Sequence, residues 1–146
     1  MKVKDWLKYL IYIALLLLII AAKGYVGNLF TLYFKQEYKP NYCYLVIIVL
    51  INICIGVALG LEHLVREMRK EGIWKINLPK LIVVGMPALY ISLAGIWIYS
   101  GIQFLQKIIL YPLLFLLKYG SGPISLFQLI FGYVVITSFY KCSEKI

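Results

Sequence analysis

Long apolar runs separated by short polar punctuation set the pattern of this chain. After "MKVKDWLK" come fourteen apolar residues, "YLIYIALLLLIIAA", before Lys23 interrupts. At 1.5 Å per residue they reach about 21 Å, short of a hydrocarbon core about 30 Å thick. Adding Trp6 and Leu7, and letting Lys8 and Lys23 stretch toward water, predicts a first crossing over residues 6–23. Residues 42–61 and 81–100 are each uncharged over twenty positions and long enough to cross directly. Pro87 is expected to kink the second of these near its start. Residues 124–140, seventeen in all, sit at the lower limit for a fourth crossing. The pattern therefore predicts an all-α fold, a four-helix transmembrane bundle forming a single membrane domain over residues 1–146.

Two shorter runs do not fit that count. "YVGNLFTLYF" (25–34) lies between Lys23 and Lys35, and "IILYPLLFLL" (108–117) between Lys107 and Lys118. Ten residues suit an interfacial or re-entrant segment on the outer side better than a crossing. A proline follows each closing lysine by five positions, Pro40 and Pro123, so the chain reads as two approximate halves with one plan. Gly24, Gly27 and Asn28 favour a helix break directly after Lys23, leaving that lysine at the outer boundary. If the helix instead ran unbroken from Tyr9 to Phe34, Lys23 would sit near the middle of an otherwise uncharged stretch, where an ammonium is costly and often functional. No predicted span holds a carboxylate for it, leaving Asn52, Gln128, backbone carbonyls or a bound anion. Residues 102–118 offer a fifth span that would move the tail outside, opposed by Gln103, Gln106, Lys107 and Pro112.

Charge gathers in one place, residues 62–80. With the flanking glycine and leucine, "GLEHLVREMRKEGIWKINLPK" holds five of the fifteen basic residues, three of the six acidic ones and the only histidine. Leu61, Leu64, Val65 and Met68 follow helical spacing, which predicts an amphipathic helix continuing the second span, supported by Glu62 and Arg66 one turn apart and stopped by Gly72. Trp74 suits an interfacial anchor, and Asn77 with Pro79 suits the start of the third helix. Arg66, Arg69, Lys70, Trp74 and Lys75 make a candidate surface for anionic lipid headgroups or a cytoplasmic partner. His63 and Glu67 share a face, but two ligands without a third do not make a metal site.

Ten lysines and arginines fall in the amino-terminal segment, residues 62–80 and the tail, including Lys2, Lys4, Lys8, Lys141 and Lys145; five fall on the opposite connectors, Lys23, Lys35, Lys39, Lys107 and Lys118. That bias places both termini in the cytoplasm. The basic start, apolar stretch and Ala21-Ala22 also resemble a signal peptide, yet Ile20 stands where a small residue is needed, so retention as the first span is expected. A bacterial inner membrane is the expected location, from lysine over arginine and many Ile and Tyr.

The net charge of +9 punctuates apolar runs instead of forming a polar face, which opposes nucleic-acid binding. Cys43, Cys54 and Cys142 lack C-x-x-C spacing, and four residues follow Cys142, one too many for prenylation. No cofactor is indicated. Gly56 and Gly60 form a G-x-x-x-G that allows another helix close, either within the chain or from a second copy; Ala88 and Ser92 are a looser pair. Asn52 and Gln128, the most polar residues within the spans, either bond to neighbouring helices or line a polar path.

The spans contain no Asp, Glu or His, which opposes an autonomous proton-coupled pump, and no nucleophile–base set, metal-ligand set or phosphate loop is present. A non-enzymatic membrane protein acting through contacts, as a regulator, scaffold or accessory subunit, is the expectation. The alternative is a small channel or transporter component with a polar path near Lys23, Asn52 and Gln128.

Overall fold

Part of the polar punctuation becomes turns in the structure, but Lys23 and Lys35 lie inside one helix and Lys107 inside another. The computed structural model describes residues 3–142, so Lys2 and Lys145 of the charge balance lie outside the described residues. The chain divides into two compact units, Met1–Ile51 and Asn52–Ile146.

In the first unit, helix α1 runs unbroken over Val3–Glu37. The break expected after Lys23, and the separate segment at 25–34, are not formed. Gly24 and Gly27 each cost a helix about 1 kcal/mol relative to Ala, but neither removes a hydrogen bond, and no proline occurs before Pro40. The Thr31 hydroxyl also donates to the Gly27 carbonyl at 3.0 Å, one turn back. The helix ends where Tyr38 turns to φ 52°, its N–H still bonded to the Phe34 carbonyl at 2.9 Å. After Pro40, the Asn41 side chain accepts from the Cys43 N–H at 3.0 Å and opens helix α2, Tyr42–Met68. Tyr33 meets Tyr44 edge-on across the turn, with centroids 6.1 Å apart.

In the second unit α2 continues to Met68, as the apolar spacing at 61–68 predicts. Glu62 and Arg66 do not pair; both are exposed, and an exposed ion pair contributes too little to hold two long side chains in register. Gly72, at φ 141°, turns the chain into strand β1, Ile73–Ile76. The third long helix, Leu78–Tyr99, begins as α3 (Leu78–Lys80), with Asn77 accepting from the Lys80 N–H at 3.1 Å and Pro79 in the first turn. It widens into a π turn over Leu81–Gly85 and resumes as α4, Met86–Ser92. The wide turn sits just before Pro87, where the proline ring and missing N–H would otherwise strain an α-helix. At Leu93 the ladder breaks again before α5, Ala94–Tyr99.

Past Gly101 (φ 71°) come α6, Gln103–Leu110, a 3-10 turn over Tyr111–Leu113 that takes in Pro112, and α7, Leu114–Leu117. The ten-residue run 108–117 thus belongs to a longer helical segment that folds back. Leu110 and Leu113 join Ala94 and Ile124 in a buried cluster, and Gln106 donates to the Ile98 carbonyl at 2.9 Å. Helix α8, Gly122–Thr137, follows with Pro123 in its first turn.

The run 124–140 is not helical to its end. Thr137 and Ser138 return their hydroxyls to the Tyr133 and Val134 carbonyls at 2.7 and 2.6 Å, and the chain leaves as strand β2, Phe139–Cys142. This strand pairs antiparallel with β1, Ile73 opposite Cys142 and Ile76 opposite Phe139. Among the described residues the fold is therefore helical apart from this two-stranded ribbon, with three helices long and apolar enough to cross a membrane: Trp6–Glu37, Tyr42–Met68 and Leu78–Tyr99.

Glycines set how the helices of the second unit meet. A Cβ on Gly56 would lie 2.0 Å from the Leu129 carbonyl oxygen, and one on Gly132 would lie 2.2 Å from that of Ile53. Helices α2 and α8 therefore touch backbone to backbone, and only glycine admits that approach. Gly60 faces Ile136 one turn on. Contacts advance together along both helices, so α2 and α8 run parallel. The third long helix runs antiparallel to them, with Ser92 beside Gln128 and Lys80 beside Thr137.

Candidate functional site

The two amides singled out in the sequence meet at the centre of the second unit. Asn52 Nδ2 donates to Gln128 Oε1 at 2.5 Å, and Gln128 Nε2 donates to the Ser92 carbonyl at 2.9 Å. That carbonyl is available because the helix breaks beside it. Ile96 N–H, which a regular α-helix would bond to Ser92, bonds to the Leu93 carbonyl instead at 2.9 Å. One side-chain chain thus ties α2, α8 and the third helix together. Asn52 and Gln128 are 2% and 4% exposed, and Ser92 is fully buried. Each buried amide thus has a hydrogen-bond partner inside the fold, as burial requires.

Gly56 and Gly60, one and two turns beyond Asn52, lie on the same face of α2 and both pack on α8. The surface offered to a second copy is filled within the chain. Gly132, the reciprocal notch on α8, was not singled out from sequence; its position one turn after Gln128, facing the Gly56 level, is the signal that marks it.

A second polar cluster forms where α2 leaves its uncharged run. Glu67, 4% exposed, accepts from Lys70 Nζ in an ion pair and from the Lys141 backbone N–H at 3.0 Å. The Lys70 ammonium, then the Lys141 N–H, hold the Glu67 carboxyl below the usual carboxylate range against the opposing effect of burial. Lys141 Nζ in turn donates to the Met68 and Lys70 carbonyls at 3.2 and 2.8 Å and lies 5.3 Å from the Trp74 ring centre. These bonds satisfy carbonyls at the end of α2 and pin the ribbon beneath it. Lys80 is likewise engaged, donating to Thr137 Oγ1 at 2.7 Å and facing the Tyr133 ring.

The candidate docking surface is sorted by these contacts. Lys70 is taken by Glu67 and Trp74 is stacked under Lys141, whereas Arg66, Arg69 and Lys75 are exposed and make no hydrogen bond or ion pair among the described residues. His63 shares a face with Glu67, but the carboxylate is already bound, and His63 Nε2 is buried with no hydrogen-bond partner among the described residues. The bonding of Glu67 to Lys70 and to the Lys141 N–H is what sequence reasoning missed here; Glu67 followed three positions on by Lys70 was the available signal.

Lys23 stands in the first unit, at the middle of α1, with no ion pair or hydrogen bond among the described residues. None of the most apolar stretch of α1 is buried, and a Cβ on Gly24 or Gly27 would meet nothing within 4 Å. A groove of about 840 Å³ lies along α6, polar at Gln103 and Lys107 and apolar at Leu110 and Leu114. Comparison of the chain with protein families, curated proteins and solved structures finds no match.

Proposed function

We propose that this chain is a small multi-pass membrane protein without enzymatic activity, acting through contacts as a regulator, scaffold or accessory subunit in the bacterial inner membrane. The observation that carries the proposal is how its polar groups are distributed. The amides within the apolar helices are bonded inside the fold, while the connector is built into a pinned ribbon that leaves Arg66, Arg69 and Lys75 without an ion pair or hydrogen bond among the described residues, alongside exposed Ile73 and Ile76. A solute path needs polar groups left over in the interior, and a contact surface needs them left over outside.

The arrangement is four crossings with both termini cytoplasmic. Helix α8, about 24 Å long, runs parallel to α2 over shared depth and ends at the same ribbon, which supports a crossing despite its length. Residues 103–117 then lie on the outer side as an interfacial or re-entrant segment. The partners are membrane lipids and a membrane or cytoplasmic protein at the 62–80 connector, not nucleic acid.

Photo-crosslinking from positions 66, 69 and 75 in the native membrane tests this reading. A discrete protein adduct, lost when Arg66, Arg69 and Lys75 become Glu in a correctly inserted variant, is expected. Solute flux through liposomes containing this chain alone, abolished by combined Lys23→Ala, Asn52→Ala and Gln128→Ala, would favour a channel or transporter component instead.

A further inference from the structure

We infer that the outer edge of β1, at Trp74 and Ile76, receives an extended segment of another protein that carries a carboxylate opposite Lys75. This deepens the contact function proposed above and rests on it, naming the place and the chemistry of the contact.

The ladder fixes which backbone groups point outward. Asn77 N–H donates to the Ser138 carbonyl at 2.8 Å, and these two residues stand opposite one another where the register of β1 and β2 continues. Opposed residues in an antiparallel pair alternate between bonded and unbonded. Lys75 with Tyr140 and Ile73 with Cys142 are thus bonded pairs, whereas Ile76 with Phe139 and Trp74 with Lys141 are not. The N–H and C=O of the unbonded residues face away from the ribbon's centre. Lys141 behaves accordingly, its N–H bonding outward to Glu67 at 3.0 Å.

The two edges are not alike. On β2 the edge is occupied by Glu67, and Lys141 Nζ ties it to the Met68 and Lys70 carbonyls at the end of α2. On β1 the N–H and C=O of Trp74 and Ile76 have no partner among the described residues. The first unit cannot supply a strand for them. It is helical over Val3–Glu37 and again from Tyr42, with its backbone groups bonded along the helices. An open edge of this kind is a template for strand addition.

Side chains select the partner. Trp74 and Ile76 lie on one face of β1, Ile73 and Lys75 on the other, and all four are exposed. Lys75 has no ion pair or hydrogen bond among the described residues. A second copy pairing antiparallel through every outward group of Trp74 and Ile76 would set each Trp74 against Ile76, and Lys75 directly against Lys75. Like charges so opposed are destabilising. An acidic residue flanked by apolar ones meets the ammonium at the close spacing of an unbonded pair and covers the Trp74 and Ile76 side chains.

The test titrates the full chain in neutral micelles with a blocked peptide that has Val on each side of a central Glu, and reads amide exchange by NMR. The Lys75 amide should exchange slowly throughout, while those of Trp74 and Ile76 should be fast alone and slowed by the peptide. The Glu peptide should bind about tenfold more tightly than the same peptide with Lys in its place. Lys75→Glu should reverse that preference while the amide at position 75 stays slow, and N-methylation of both Val residues should abolish binding. Binding that survives N-methylation, a Glu preference that survives Lys75→Glu, or peptide that leaves Trp74 and Ile76 unprotected would overturn the inference. So would protection without peptide, whether on raising the protein concentration, which marks a second copy, or on adding anionic lipid, which marks a bilayer surface. Protein adducts from positions 66, 69 and 75 in the native membrane, alongside indifference to both peptides, would overturn the strand pairing and leave the contact function standing. Absence of any protein adduct from those positions would defeat the contact function, and the inference with it.

Discussion

Gln128 decides whether three helices share one interior. Replacing it with Leu removes a donor and an acceptor together, leaving Asn52 Nδ2 and the Ser92 carbonyl buried without partners. A loss of about 1–3 kcal/mol is expected in equilibrium unfolding in mixed micelles. Asn52→Leu should cost less, because Gln128 keeps its bond to Ser92, and the double variant should cost less than the sum of the two. The glycines give an equally sharp contrast. Gly56→Ala drives a Cβ into the Leu129 carbonyl and should cost about 1–3 kcal/mol in the same assay, whereas Gly24→Ala meets open space and should leave stability unchanged or raise it by up to about 1 kcal/mol.

At the scale of elements, the β1–β2 ribbon is too small to persist alone and is fastened to the end of α2 by the Glu67 bond to the Lys141 N–H together with the Lys141 Nζ bonds to the Met68 and Lys70 carbonyls. Because the folded Glu67 carboxyl titrates below its ordinary range, its contribution is present above that range and is lost as pH falls through the depressed value. Trp74 fluorescence should therefore report ribbon opening only at pH below the usual carboxylate range, and Glu67→Gln should show the open signal at neutral pH. An unchanged signal in Glu67→Gln would show that the fastening lies elsewhere. The long apolar runs, the Asn77 start of the third helix and the redirection at Gly72 were legible because each rests on local pattern. The ribbon was not, since its pairing joins residues more than sixty positions apart and "IWKI" alone resembles an interfacial anchor. The continuity of α1 was misread for a related reason. Two glycines weaken a helix, but without proline or a competing partner they do not end one.

For the whole molecule, hydrophobic patterning predicted four crossings, of which three fall in described helices long and apolar enough to cross a membrane, while the joining of Asn52, Gln128 and the Ser92 carbonyl depended on tertiary geometry. The proposed account needs four crossings with the ribbon on the cytoplasmic side and the α7–α8 turn outside. Single-cysteine labelling with permeant and impermeant reagents, in a background lacking Cys43, Cys54 and Cys142, tests that most directly. Glu71→Cys should react only from the cytoplasmic side, Lys39→Cys and Tyr119→Cys from outside, and Asn28→Cys from neither. Labelling of Glu71→Cys and Tyr119→Cys from the same side would contradict the crossing of α8, and with it the four-crossing account.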